Sequence, residues 1–345
     1  MDDTDLFLLL KLPYLAQKQI IGGWDAKQII KFSMENVEIR NIVNFMRLSA
    51  SCLEWSFKDE PTIIVKSIFG TDDVSIRLNS AENQRIYTRS DFYRKAPRNI
   101  DLKMSNEDDP IESMEFLTTQ LRHIFNFKQY DFHWGLPLRD LHQNLFVFNI
   151  TKNFGEISLT PPYDEVGNLS HVVKMMKYFQ EDVTCNKMTC KIPNGLRITV
   201  PFQHPAIKII GSSCFTWKSF QNMKSREVYI ERDEVSEREI NRIVKKWING
   251  GIQSLEKFEV NDFPRGQYPT KCFFGIENLL AGIETFDSPN LPYGEEFTDR
   301  ELAASARYIL RKTDGRKAAI LTDDFTYFKF IVWKDYVPNR DEMRD

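Results

Sequence analysis

Ser236-Glu237-Arg238-Glu239-Ile240-Asn241-Arg242-Ile243-Val244-Lys245-Lys246-Trp247-Ile248-Asn249-Gly250-Gly251 reads as one helix with both of its ends written in. Ser236 followed three residues later by Glu239 is a capping box, in which each side chain reaches the other residue's backbone amide and satisfies a donor orphaned at the helix start. Val235 before the cap and Ile240 after it are spaced as a hydrophobic staple. Ile240, Ile243, Val244, Trp247 and Ile248 recur at three- and four-residue steps and make one apolar stripe. Gly250-Gly251 supplies the backbone freedom that stops the helix. Val228 and Ile230 alternate with polar residues before it, and Phe258 and Val260 follow Leu255 in the same style after it. Strand, helix, strand makes a crossover, which predicts that the two strands pair in parallel.

The same unit recurs upstream. Ile207 and Ile209 form a strand-like pair, and Phe215 to Met223 reads as a short helix holding Trp217 and Phe220. The pairs Ile207/Ile209, Val228/Ile230 and Phe258/Val260 are separated by roughly 20 to 30 residues, the length of a leucine-rich repeat. Phe146/Phe148/Ile150, Ile157/Leu159 and Leu196/Ile198/Val200 read as further strands. Val166, Leu169, Val173, Met176 and Phe179 fit one helix; Met114, Leu117, Leu121 and Phe125 fit another. There is no strict asparagine ladder, so the expected fold is α/β: an irregular, leucine-rich-repeat-like solenoid. At its far end Asp314-Gly315 is a strong hairpin turn, with Ile320 and Tyr327 to Trp333 supplying the strands of an antiparallel β-meander.

The first fifty residues have a different texture. Leu6-Phe7-Leu8-Leu9-Leu10-Lys11-Leu12-Pro13 runs into Tyr14 to Ile21, where Pro13 suits the first turn of a helix because it fixes φ and has no N–H to lose. Gly22-Gly23 ends that helix, and Asp25 can cap the amides of Lys27 or Gln28 to start a second. Ile29, Ile30, Phe32 and Val37 lie along the second; Ile39, Ile42, Val43 and Met46 continue into a third. Helices this short are marginal alone in water, so they need either a partner surface or the rest of the chain.

Composition narrows the function classes. The chain has 345 residues and 42% hydrophobic content, ample for a sizeable core. A net charge of −3 argues against a surface built to neutralise phosphates. No apolar run approaches the roughly 18 residues of a membrane span. An opening with Asp2, Asp3 and Asp5 is no leader peptide. Five cysteines make no disulfide framework. The expectation is a reduced, intracellular protein, cytoplasmic or nuclear, without nucleic acid, membrane or cofactor. No phosphate loop, dinucleotide fingerprint or nucleophile elbow is present, and the chain is not expected to be an enzyme. Cys185 and Cys190 are spaced too widely for a zinc knuckle and read as structural. His123, His133 and His142, near Asp131 and Asp140, do not fall on one helical face. Glu107-Asp108-Asp109 reads as a turn into the helix from Ile111, and Trp247 beside Lys245-Lys246 reads as core.

Two parts of this pattern resemble a known pair of domains. The Leu-rich opening to Leu12-Pro13, followed by Ile29-Ile30-Lys31-Phe32-Ser33, resembles the F-box of nematode F-box proteins. Ser225 to Ile230, Ser236 to Gly251 and Leu255-Glu256-Lys257-Phe258 resemble the F-box-associated domain (type 2) of the same proteins, as do Leu310 to Ile320 and Phe328 to Trp333. The resemblance implies an F-box-like motif over 3–50 and an F-box-associated α/β domain over 60–338, best matched at 204–260, with its C-terminal β-hairpin region at 305–334. It implies a substrate receptor of a Skp–cullin–F-box ubiquitin ligase: Leu10, Leu12, Pro13, Ile20, Ile29 and Phe32 would hold the Skp-type adaptor, and through it the cullin–RING ligase. The α/β domain would present an unidentified target protein. Gly22-Gly23-Trp24 and Met34 to Glu38 depart from the F-box pattern and leave open an interaction scaffold without adaptor binding. Asn261 to Pro292, the largest irregular stretch, is either the target surface or a loop covering one edge.

Overall fold

The computed structural model describes residues 9–58, 60–66, 73–80, 98–104, 109–137, 140–161, 169–191, 201–211, 217–231, 235–261, 276–287, 305–322 and 327–333. It is a mixed α/β chain that divides into two compact units, Met1–Leu136 with Asn144–Gly155, and Pro137–Gln143 with Glu156–Asp345.

The first unit opens with α1 (Tyr14–Gly22), α2 (Ala26–Glu35) and α3 (Val37–Met46). Asp25 caps α2 by accepting from the Gln28 amide at 2.8 Å while Gln28 reaches back to the Asp25 amide, a full capping box. Asn36 is extended, ends α2 and caps α3 through the amides of Glu38 and Ile39. Val37 therefore starts the third helix and does not lie along the second. Strands β1 (Leu48–Phe57), β2 (Thr62–Lys66), β3 (Val74–Ser80) and β4 (Arg98–Met104) follow, then α4 (Pro110–Ile124), β5 (Phe125–Trp134), α5 (Phe146–Ile150) and the start of β6 (Asn153–Leu159). The strand order is β5-β1-β2-β3-β4, with β1–β5 and β3–β4 parallel and the two inner pairs antiparallel. The core is aromatic. Trp55, Phe57, Phe132 and Trp134 are fully buried, and the Trp55 indole donates to Thr118 Oγ1 of α4 at 2.8 Å.

Two expectations need correction here. Phe125 does not end α4 but opens β5, because the helix closes on the Leu121 carbonyl and Phe125 is already extended. Phe146/Phe148/Ile150 is helix and not strand: Leu145, Phe146, Val147 and Phe148 are all buried, so no face alternates, and the Thr151 amide closes on the Val147 carbonyl at 3.1 Å. Strands β1 to β5 were not anticipated at all.

The second unit contains α6 (Leu169–Glu181), β7 (Thr184–Lys191), β8 (Ala206–Ile210), α7 (Trp217–Gln221), β9 (Glu227–Glu231), α8 (Glu237–Ile248) and β10 (Lys257–Asn261). It continues with α9 (Ile276–Leu279), β11 (Phe286–Asp287), β12 (Ser305–Leu310), β13 (Lys317–Thr322) and β14 (Tyr327–Val332). β7, β8, β9 and β10 are parallel neighbours in chain order, and the β8–β9 and β9–β10 steps are those the crossover reading requires. The order then reverses: β14 lies antiparallel to β10, followed outward by β13, β12 and β11, an antiparallel meander. The strand beside β8 on the side away from β9 is β7, and Leu196/Ile198/Val200 lie outside the described residues. Register stacks Met188, Ile207, Val228 and Phe258 in one buried row and Cys190, Ile209, Ile230 and Val260 in another. The apolar stripe of α8 is buried, its Ser236–Glu239 capping box is formed, and Gly250 takes a φ of 76°, where a side chain would collide with Thr313. The match between rows and stripe is the sequence's amphipathic periodicity turned into packing.

Candidate functional site

The N-terminal helices build a small core of their own and leave part of their apolar surface uncovered. Ile21, Ile30, Ile39 and Val43 are fully buried, and α2 and α3 rest on α4. Gln17 donates to the carbonyls of Leu9 and Leu10, tying the Leu-rich entry to α1. Arg40 of α3 donates to the carbonyls of Ser33 and Met34 and so fixes the end of α2. Of the residues the resemblance singles out, Ile29 is 6% exposed and buried. Phe32 is half-buried against Trp24, with ring centroids 5.0 Å apart. Leu10 is half-buried, Pro13 is the exposed N-cap of α1, and Leu12 and Ile20 are 38% and 43% exposed. Tyr14 and Leu15, which the sequence reading did not single out, are more exposed still, Leu15 at 77%. Their signal was available: both follow Leu12-Pro13 directly, in the first turn of the helix that Pro13 starts.

One face of the parallel strands in the second unit is polar. Lys187, Ala206, Glu227 and Lys257 form one row, and Thr189, Lys208, Tyr229 and Glu259 the next. Lys208 pairs with Glu231 at 2.9 Å and lies 4.6 Å from the Tyr229 ring centre; Lys187 pairs with Glu156 at 3.2 Å. Ala206 is the short residue in its row, and a dip of about 190 Å³ opens over it. Parallel strands bring side chains from four separate stretches of sequence onto one rigid lattice.

The first unit carries a denser polar cluster on β1, β2 and β5. Lys66 Nζ lies 2.8 Å from Glu54 Oε2 and donates to Asp131 Oδ2 at 3.0 Å, while Gln129 donates to Asp131 Oδ1 at 2.8 Å. Burial alone would raise the Asp131 carboxyl, but the hydrogen bonds from Gln129, Lys66 and Cys52 outweigh it and hold the group below the usual aspartate range. Burial pushes the Cys52 thiol up and Asp131 adds to the shift, so Cys52 is held as a thiol. Gly155 passes so close that a Cβ there would collide with the Gln129 side chain. The donors and acceptors of this cluster are spent on each other, which makes it a structural knot.

The histidines and cysteines stay apart. His123 is exposed on the last turn of α4, His133 Nε2 is 3.5 Å from Glu54, and His142 lies edge-on to His171. Cys185 and Cys190 are free and buried, each pushed by burial to about 12, Cys185 with help from Glu156. No group of three metal-ligating side chains occurs among the described residues. No helix among them is long and apolar enough to cross a membrane.

His204 is a titratable group whose protonation is coupled to folding. It is buried, with Nε2 lacking a partner and its ring bonded to the Phe179 carbonyl; burial pulls its pKa below the ordinary histidine value, with the Phe179 bond opposing. The unfolded chain therefore takes a proton at a higher pH than the folded one, so stability is full above about pH 6.5 and falls below it, by up to about 1.4 kcal/mol per pH unit. Urea midpoints at pH 7.5 and 5.5 should separate in the wild type and draw together in His204→Asn. An equal separation in both would put the acid sensitivity elsewhere.

A family model described as F-box associated matches residues 198–260, the stretch that holds β8, α7, β9, α8 and β10. No curated protein and no solved structure matches the chain. Residues 198–260 are thus similar to an F-box-associated domain.

Proposed function

We propose that the chain is the substrate receptor of a Skp–cullin–F-box ubiquitin ligase of the nematode F-box type, acting inside the cell. The F-box-associated match over 198–260 carries the reading. In support, a capped three-helix module precedes that stretch in the chain and leaves Leu12, Tyr14, Leu15 and Ile20 exposed. Exposed apolar side chains on an ordered scaffold are what an interface needs at its centre. The adaptor docks on this surface around Pro13, with Leu10 and Phe32 at its margin and Ile29 supporting it from within. The strand–helix steps from β7 to β10 act as a short leucine-rich-repeat-like solenoid whose polar face meets the target protein. The chain performs no catalysis itself and uses no cofactor.

The test is capture of a purified Skp-type adaptor by the wild type, by Leu15→Asp and by Leu12→Ala with Pro13→Ala. Leu15 is 77% exposed, so Leu15→Asp should keep the melting temperature of the wild type. It should nonetheless weaken capture by about tenfold or more, as removal of a central apolar contact does. A wild type that is folded and captures nothing would sink the ligase reading and favour the scaffold that Gly22-Gly23-Trp24 and Met34 to Glu38 suggest.

A further inference from the structure

The second unit contains a cavity of about 400 Å³ at the C-terminal end of α8, lined by none of the residues of the polar strand rows. Its apolar lining comes from Ile248 on α8, Ile283 and Phe286 after α9, and Leu310 at the end of β12. The wall is stiff: Phe286 stacks on Tyr308 with centroids 5.1 Å apart, and Asn241 donates to the Leu279 carbonyl at 2.6 Å, holding α9 against α8. Two ammonium groups line the same space, Lys245 and Lys312. Lys245 donates to the Ala281 carbonyl at 2.7 Å, and Gly282, with a φ of 69°, leaves room for that approach. A carbonyl orients an ammonium without neutralising it. The lysines of the two polar clusters, Lys66, Lys187 and Lys208, each face a carboxylate. Lys245 and Lys312 are paired with no carboxylate among the described residues, although Glu284 also lines the cavity. Two lysines and one glutamate leave the cavity one positive charge in excess.

We propose that this cavity takes an apolar side chain of a partner protein that has a carboxylate beside it, the side chain on Ile248, Phe286 and Leu310 and the carboxylate between Lys245 and Lys312. The volume suits a single anchoring side chain with its neighbouring backbone, and the excess charge selects an acidic flank over a basic one. The carboxylate replaces water around the Lys245 ammonium, which the Ala281 carbonyl already holds in place, so less ordering is lost there on binding. This deepens the receptor reading by giving the recruited protein a chemical class, and it rests on that reading.

The probe is a random heptapeptide library displayed on phage and selected on the purified full chain. Selection should enrich peptides with a large apolar residue next to Asp or Glu. Synthetic copies of those peptides should bind Lys312→Glu and Lys245→Gln more weakly by about tenfold or more each, the loss of one charge-assisted contact. Gln at 245 keeps a donor for the Ala281 carbonyl, and Lys312 is exposed, so both variants should retain the wild-type melting temperature. Enriched peptides that bind both variants as well as the wild type would overturn the proposal. So would a selection that enriches nothing, or one that enriches peptides without acidic residues. Adaptor capture by the same two variants separates this site from the receptor reading, since it should be unchanged whether or not peptides bind.

Discussion

Trp247→Ala is expected to destabilise the second unit by about 3–5 kcal/mol, the range for removing a large aromatic from a packed core. Three contacts set that size. The indole is fully buried on the inner face of α8 and meets Phe330 of β14 edge-on at 5.0 Å. Its Nε1 donates to the Leu255 carbonyl at 3.2 Å, so truncation orphans an acceptor in the turn that leads into β10. The Arg311 guanidinium sits 5.0 Å above the ring and loses that face as well. A helix, a parallel strand and the meander therefore meet on one side chain, and the cavity left behind cannot be closed by moving any one of them. Trp247→Phe should fall between, because the ring contacts survive and the Leu255 bond does not. Urea denaturation followed by circular dichroism measures both. A loss below about 1 kcal/mol for the alanine variant would mean that the site collapses around the gap, contrary to the rigidity of packed interiors.

The same helix shows why some of this fold could be read from the sequence and some could not. Ser236, Glu239, the apolar stripe and Gly250 are local signals, and each acts on its neighbours within a turn or two. Parallel pairing of β9 with β10 follows from them because a crossover helix leaves few other arrangements. The strands of the first unit have no such signals. Along β1 both faces are buried, Leu53, Trp55 and Phe57 on one and Cys52 and Ser56 on the other, so the period-two alternation that marks a strand is lost. What keeps Glu54 there is Lys66, and what keeps Lys66 there is Asp131, partners from three strands that no local window contains. Phe146-Val147-Phe148 failed for the opposite reason: the aromatic spacing imitated a strand while a helix buried all three residues.

The candidate surfaces divide along the same line. The period of α1 and α2 identifies Ile20 and Ile29 as apolar face residues, but which is exposed depends on where α3 and α4 lie. The polar rows on β8, β9 and β10 were legible as the complement of the buried rows, since period two fixes both at once, whereas β7 was not read as a strand. Lys245 and Lys312 were not, because the first reads as a last-turn lysine suited to the helix dipole and the second as a turn residue. Only the closure of β12 onto α8, through the bond from the Lys312 amide to the Ile248 carbonyl at 2.8 Å, brings them to one cavity.

That closure depends on Arg311, and Asp314→Ala is expected to cost more than removing Arg311 itself. The Arg311 side chain is 3% exposed and holds Asp314 through two bonds, Nε to Oδ1 at 2.8 Å and Nη2 to Oδ2 at 2.5 Å, with Nη1 donating to the Gln253 carbonyl at 3.2 Å. The bonds from Arg311 pull the Asp314 carboxyl below the usual aspartate range, against a smaller effect of burial. Asp314→Ala leaves a buried guanidinium with one carbonyl for company, and a charge stranded in that way is the costly case. Asp314 is 42% exposed, so water tempers the loss to about 2–4 kcal/mol, under the range for a fully buried pair. Arg311→Met removes the charge and keeps an unbranched stem on the Trp247 ring. It should cost about 1–2 kcal/mol, because exchanging a buried ion for an apolar group of similar length is tolerated far better than breaking its pair. The double variant should lie close to Arg311→Met alone, since Asp314 has no stranded partner once the guanidinium is gone. Melting curves of the three proteins at neutral pH measure this, and Arg311→Met emerging as the less stable single variant would show that the hairpin is held by the guanidinium's stacking on Trp247 and not by its pair with Asp314.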